Sequence, residues 1–232
     1  MIFPLLILLS LLTSTFSTYH YTLDFTAPTT PSQLQCLRNL NYYSIWPRIY
    51  SRDGVDLAGI DTILNFQNIS NSHVTAGGVI VPKVGGIGRQ QINELYEVLK
   101  SNGLETLSCF LKVTQSSAHW STDTSSNLAL INSMLERAQQ LSIPLSIQTS
   151  FTDWLQITDN AKQVARANKG YTWLWYSKVY GPGVTGESQP NFDDFIGFGP
   201  FGKANVTMKQ FAEEEVLCGL TVNRNVFNVF VN

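Results

Sequence analysis

Two acidic side chains stand where a chemical step could be built. Asp24 falls near the end of the strand-like run Tyr19-His20-Tyr21-Thr22-Leu23-Asp24-Phe25, and Asp153 follows the run Leu145-Ser146-Ile147-Gln148-Thr149. A pair of carboxylates flanking a glycosidic bond is the minimum for ordinary glycoside hydrolysis, one protonating the leaving oxygen and one acting as base or nucleophile. Asp153 has a second reading, since a helix follows it that it could cap. Other chemistries find little support. His20, His73 and His119 are too scattered for a metal site of recognisable spacing, so no metal or other cofactor is expected. Cys109 lies in the apolar run Leu107-Ser108-Cys109-Phe110-Leu111 with no histidine near it in sequence, which argues against a cysteine nucleophile. Gly85-Gly86-Ile87-Gly88 has the composition of a phosphate loop without its spacing. Glu213-Glu214-Glu215 reads as a solvated face.

Separate acids work together only on a scaffold that gathers distant segments. Short apolar runs here alternate with segments of helical period: helices over 32–40, 56–66, 90–102, 128–141 and 160–168, and strands at 43–50 (interrupted by Pro47), 79–81, 107–113, 145–149 and 171–176. A repeat of about thirty residues per unit implies βαβ crossovers and a parallel sheet, hence an α/β chain closed into a TIM-like (β/α) barrel. Beyond Tyr180 the glycine- and proline-rich loops predict irregular C-terminal units. Barrel chemistry sits at the C-terminal ends of the strands. There Lys112 and Tyr176 join Asp24 and Asp153, and Trp120, Trp154, Trp173 and Trp175 are available to line a sugar groove or to fill the core.

Residues 1–18 are almost wholly apolar until they give way to small residues, the pattern of a cleaved secretory signal. Residues 19–232 then form one exported domain, expected to be monomeric, secreted and extracellular or held in the lumen of secretory or lysosomal vesicles. With 15 basic and 17 acidic residues and no block of either sign, nucleic-acid and membrane partners are not expected. Three cysteines in an exported chain allow one bridge and a leftover thiol. Cys109 has the surroundings of a buried strand residue, which leaves Cys36 and Cys218 as the expected pair. Asn68-Ile69-Ser70 and Asn205-Val206-Thr207 are acceptor sequons for glycosylation.

Several stretches carry a family resemblance: Asp153-Trp154-Leu155-Gln156-Ile157-Thr158, Trp173-Leu174-Trp175-Tyr176, Gly183-Val184-Thr185-Gly186-Glu187-Ser188, Asn191-Phe192-Asp193-Asp194-Phe195 and Val216-Leu217-Cys218-Gly219-Leu220-Thr221-Val222-Asn223-Arg224. They resemble the nematode lysozyme-like proteins, related to glycoside hydrolase family 25, the Chalaropsis-type lysozymes. The resemblance implies a (β/α) barrel with an incomplete last part, an N-acetylmuramidase ancestry, a role in innate defence against bacteria, and bacterial cell-wall glycan as partner. Asp24 matches the family's first-strand aspartate. The other acids do not carry over. Phe110-Leu111-Lys112 stands where active members place an Asp-x-Glu pair, Gly77 or Gly78 stands where relatives have a glutamate, and Asn225 stands where an aspartate is expected. A lysine cannot replace a general acid, since it stays charged near neutrality. The expectation is a weakened or lost muramidase with Asp24 as the remaining catalytic residue, Lys112 paired to it, and Asp153, Trp175 and Tyr176 contacting substrate. The alternative is an active muramidase using Asp24 with Asp153.

Overall fold

A computed structural model describes residues 19–26, 28–69, 75–115, 118–165 and 172–228. The expected signal segment and Ser70 of the first sequon lie outside these. The strands are β1 (Tyr19–Phe25), β2 (Ser44–Ser51), β3 (Gly54–Val55), β4 (Thr75–Ala76), β5 (Gly78–Ile80), β6 (Cys109–Lys112), β7 (Leu145–Thr149), β8 (Leu174–Ser177), β9 (Val206–Leu217) and β10 (Leu220–Asn228). The α-helices are α1 (Pro31–Asn39), α2 (Leu57–Ile69), α3 (Gly88–Ser101), α4 (Thr124–Gln140) and α5 (Phe151–Thr158).

The sheet runs β1-β10-β9-β8-β7-β6-β5-β2, and β2 pairs back onto β1, so the strands close an α/β barrel. Pairings from β1 through β2 and β5 to β9 are parallel, each neighbour reached by a crossover. β10 is antiparallel to both β9 and β1. It follows β9 through Cys218 and Gly219, whose φ angles of 54° and 73° are those of the tight hairpin turn that needs two left-handed residues. The irregular end expected beyond Tyr180 is thus a loop region followed by two long strands, and the antiparallel hairpin stands where a barrel's last βα unit would be.

Strand alternation sorts the side chains into two layers. Outward residues such as Ile49, Ile80, Leu111, Ile147 and Leu174 pack beneath α2 to α5. Inward residues Trp46, Val79, Phe110, Trp175 and Met208 fill the barrel, with Trp46, Phe110 and Trp175 in mutual edge-on contact at 5.2–6.0 Å. Leu23 and Phe25 turn outward to meet Leu34 and Leu37 of α1, so Thr22 and Asp24 point in.

Helix ends follow their local chemistry. Pro31 occupies the first turn of α1 and Thr30 caps it, with Gln33 answering back to the Thr30 N–H at 3.0 Å. Over 160–165 the helix expected at 160–168 does not form, and 166–168 lie outside the described residues. The chain turns helical directly after β7 because Ser150 caps α5 through the Asp153 N–H, and Asp159 and Asn160, both at φ 54°, end it. β2 runs unbroken through Pro47. Cys36 and Cys218 are bonded, with Cα atoms 6.0 Å apart, tying α1 to the β9–β10 turn. Cys109 is a free, fully buried thiol whose pKa burial pushes up to about 12.

Candidate functional site

Asp24 sits at the C-terminal end of β1, 3% exposed, and both of its oxygens are taken. Asn225 Nδ2 donates to Oδ1 at 2.8 Å and Asn223 Nδ2 donates to Oδ2 at 2.9 Å. Both partners come from β10, whose antiparallel register sets Asp24 opposite Asn223 and Thr22 opposite Asn225. The Lys112 ammonium lies 3.8 Å from Oδ2, reaching across the barrel from the end of β6. Asn225 in turn accepts from Trp175 Nε1 at 3.0 Å, so a relay of hydrogen bonds runs from the aromatic interior to the acid. A charged group this buried needs such partners, because each charge-assisted bond offsets part of its lost hydration, about 1.5–3 kcal/mol apiece.

The replaced positions explain themselves against this geometry. A carboxylate in place of Asn225 would face the Asp24 carboxylate at hydrogen-bond distance, and the two could not both be ionised without repelling. The asparagine supplies an N–H there instead. Phe110 and Lys112 both point into the barrel, Phe110 into the aromatic interior and Lys112 into the mouth. A side chain added at Gly77 would run into the Trp46 ring, so the tryptophan fills the space that a glutamate there would need.

Two cavities meet at Lys112. The smaller, about 230 Å³, is lined by Asp24, Arg48, Val79, Val81 and Lys112. The larger, about 870 Å³, extends over the ends of β6 to β9. Its polar lining includes Lys112, Asp153, Lys178, Gln210, Glu213 and Asn223, and its apolar lining Phe151, Phe195, Ile196 and Phe198 with the ring of Tyr176. Among the described residues no three His, Cys, Asp or Glu side chains group as metal ligands.

The other expected site residues divide. Asp153 borders the larger cavity, but both its oxygens are engaged at the start of α5: Oδ1 accepts from the Gln115 N–H at 2.7 Å and Oδ2 from the Ser150 hydroxyl at 2.6 Å. Trp175, expected to contact substrate, is fully buried in the barrel interior, because its position in β8 points inward while its neighbours point out. Tyr176 points outward and lines the cavity, donating to Asp194 Oδ1 at 2.7 Å; burial first, and then this bond, push its pKa well above the usual phenol range. Trp154 is also fully buried, and Trp173 is partly exposed.

Three polar features escape a reading of the sequence. Lys209 is fully buried behind Tyr176, with its ammonium 2.7 Å from Asp194 Oδ2 and from the Gln189 carbonyl. That bond pins the loop carrying Phe195, Ile196 and Phe198 onto the barrel. Burial lowers the Lys209 pKa despite the pairing, while Asp194, against the pull of its own burial, is held low by its bonds from Lys209 and Tyr176. Arg224 Nη1 binds Glu187 at 2.8 Å and Glu215 at 3.3 Å, and its Nε binds the Tyr42 hydroxyl at 3.0 Å. The expected solvated face of three glutamates is therefore corrected: Glu215 is buried on Arg224, Glu213 borders the cavity, and Glu214 alone is exposed. A bulge in the β9–β10 register, with Glu214 at φ 54°, breaks the alternation that the sequence implies.

Against known proteins, the model of the family lysozyme-like protein 1 matches residues 15–211. The chain belongs to that family. Lysozyme-like protein 1 of Caenorhabditis elegans is 37% identical over 218 residues, covering 92% of this chain and 70% of the relative. A family 25 lysozyme from Aspergillus fumigatus superposes with a TM-score of 0.66 at 15% identity, over 92% of this chain and 96% of that one. The autolysin LytC from Streptococcus pneumoniae, solved in complex with a synthetic peptidoglycan ligand, superposes at 0.61 and 11% identity, over 90% of this chain and 46% of that one. This lysozyme-like protein thus carries the barrel of the family 25 lysozymes, with its first-strand aspartate enclosed by two asparagines and a lysine.

Proposed function

We propose that this protein is a secreted, monomeric member of innate defence against bacteria that engages cell-wall glycan at the barrel mouth and cleaves it weakly or not at all. One observation carries the reading. Asp24 spends both oxygens on Asn223 and Asn225, while the strand beside the mouth offers Phe110 and Lys112 in place of acids. Hydrolysis needs a proton donor as well as a carboxylate, and loss of such a donor typically forfeits about a hundred- to ten-thousand-fold in rate. The peptidoglycan ligand of the autolysin with the same fold supports glycan as the partner. Phe151, 54% exposed in the cleft lining, offers a ring face on which a sugar stacks, and Ile196, 80% exposed, adds apolar surface beside it.

The alternative muramidase using Asp24 with Asp153 is not favoured, because both Asp153 oxygens hold the start of α5 and the Gln115 amide. Export also carries the expectation of glycans on Asn68, exposed at the end of α2, and on Asn205, in the turn before β9. A mass decrease on enzymatic deglycosylation of the secreted chain checks this. The main test is a pair of assays on the mature protein. Sedimentation with purified peptidoglycan is expected, with no fall in turbidity of a cell-wall suspension. Clearing at the rate of an active lysozyme, abolished by Asp24→Asn, would overturn the reading.

A further inference from the structure

Carboxylates border the mouth at Asp24, Asp153, Asp194, Glu213 and Glu214. The first three have both oxygens committed to protein donors, and Glu214 is turned to solvent. Glu213 differs. It is half-buried on the cleft wall, and among the described residues no side chain hydrogen-bonds or ion-pairs its carboxylate.

Its aim is set by the backbone around it. Glu214 holds φ 54°, a left-handed conformation that side-chain-bearing residues adopt rarely. The Glu214 N–H donates to Asn223 Oδ1 at 3.1 Å, and the same asparagine donates to Asp24. On the other side the Glu213 carbonyl accepts from the Gly183 N–H at 2.8 Å. The bulge is therefore braced both to the mouth acid and to the loop after β8. Burial pushes the Glu213 pKa up, Glu214 adds to the rise, Lys112 opposes it, and Asp24 raises it further. The remaining charges that border the same cleft are Lys178 after β8, Asp153 of α5 and Asp194.

We propose that Glu213 is the pH-responsive ligand contact of this mouth: its neutral carboxyl donates a hydrogen bond to an oxygen of a bound amino-sugar polymer. The ionised form has no donor and adds a negative charge beside Asp24, so the glycan is held more tightly in acid. This rests on the reading of the mouth as a glycan site. It places the protonatable group on the closing hairpin rather than on β6.

The test is calorimetric titration of the mature chain with a soluble peptidoglycan fragment of alternating N-acetylglucosamine and N-acetylmuramic acid, at pH 7 and at about pH 4.5. Wild type is expected to bind about three- to ten-fold more tightly in acid, the worth of one hydrogen bond. Glu213→Gln, which keeps an N–H donor at every pH, should bind at pH 7 as wild type does in acid and lose the dependence. Glu105→Gln, an exposed charge before the opposite end of β6, should follow wild type. Full wild-type pH dependence in Glu213→Gln, or none in wild type, overturns the role of Glu213 and leaves the glycan reading standing. Absence of binding by every form at both pH values overturns both.

Discussion

The barrel wall is built in two ways. Strands β1, β2, β5, β6 and β7 alternate with helices, and their outward faces are apolar residues buried beneath α1 to α5. β9 and β10 turn back on each other with no helix between them and bury Lys209, Gln210, Glu215 and Asn225 instead. The repeating part holds Asp24 in place; the hairpin decides what Asp24 can do, since Asn223 and Asn225 both come from it. The overall wall and the immediate surroundings of Asp24 are therefore set by different parts of the barrel.

The largest effect expected is from the staple that fastens the hairpin. Replacing Cys36 and Cys218 together by serine releases a closure spanning 182 residues. On the chain-entropy view it costs about 5 kcal/mol, read as a lower denaturation midpoint. Cys109→Ala on the repeating side should cost about 1 kcal/mol. Next, Asp194→Ala strands the buried Lys209 ammonium and is expected to cost about 3–5 kcal/mol, with exposure of Tyr176 seen in its fluorescence. Removing the Tyr50–Glu94 hydrogen bond, a single 2.8 Å contact on the helical side, should cost about 1 kcal/mol. If the two losses are equal, the hairpin has no special dependence on buried polar pairs.

Asn225→Ala follows, leaving Trp175 Nε1 and Asp24 Oδ1 without a partner at a cost of about 1–3 kcal/mol by chemical denaturation. Ser150→Ala, which uncaps α5, is the matching change in the repeat at about 1 kcal/mol. The smallest effect is a pH dependence. Burial first, and then the hydrogen bond that protonated Glu215 donates to Glu187, raise the Glu215 pKa in the folded chain above its ordinary value against the opposing pull of Arg224. The contribution of Glu215 is thus complete below that ordinary value and is lost as pH rises through the folded one. Glu215→Gln should flatten the fall in melting temperature over that window; an unchanged slope would remove Glu215 as its source.

What could be read from the chain follows the same division. Helices α1 to α4 and strands β6 and β7 show in their apolar spacing, because one face of each is buried against the other layer. The places of Asp24 at the end of β1 and of Lys112 at the end of β6 were legible from the same strand runs, and the Cys36–Cys218 pair by elimination of a buried thiol. β9 hid because both faces of a barrel strand are covered, so Met208, Lys209 and Gln210 are all buried and no alternation of polarity survives. Glu213 hid because a bulge shifts the register at Glu214, which no polarity pattern records. Lys209 hid as well, because Lys178 and Lys203 stand as near in sequence to the acidic loop Asn191 to Phe195, so nothing singles out Lys209 as its partner.

The β1–β2 seam has a consequence for how the molecule is made. β1 pairs with β2 over three residues, Leu23 to Phe25, but with β10 over six. During synthesis from the N-terminus the first strand emerges long before the last, so Asp24 stays without its two asparagines until residues 220–228 arrive. Cys36 likewise emerges before both Cys109 and Cys218, and its bonded partner is the last of the three to be made. Closure of this barrel therefore waits for its last two strands, and a chain stopped short of its hairpin has neither a sealed wall nor a finished mouth.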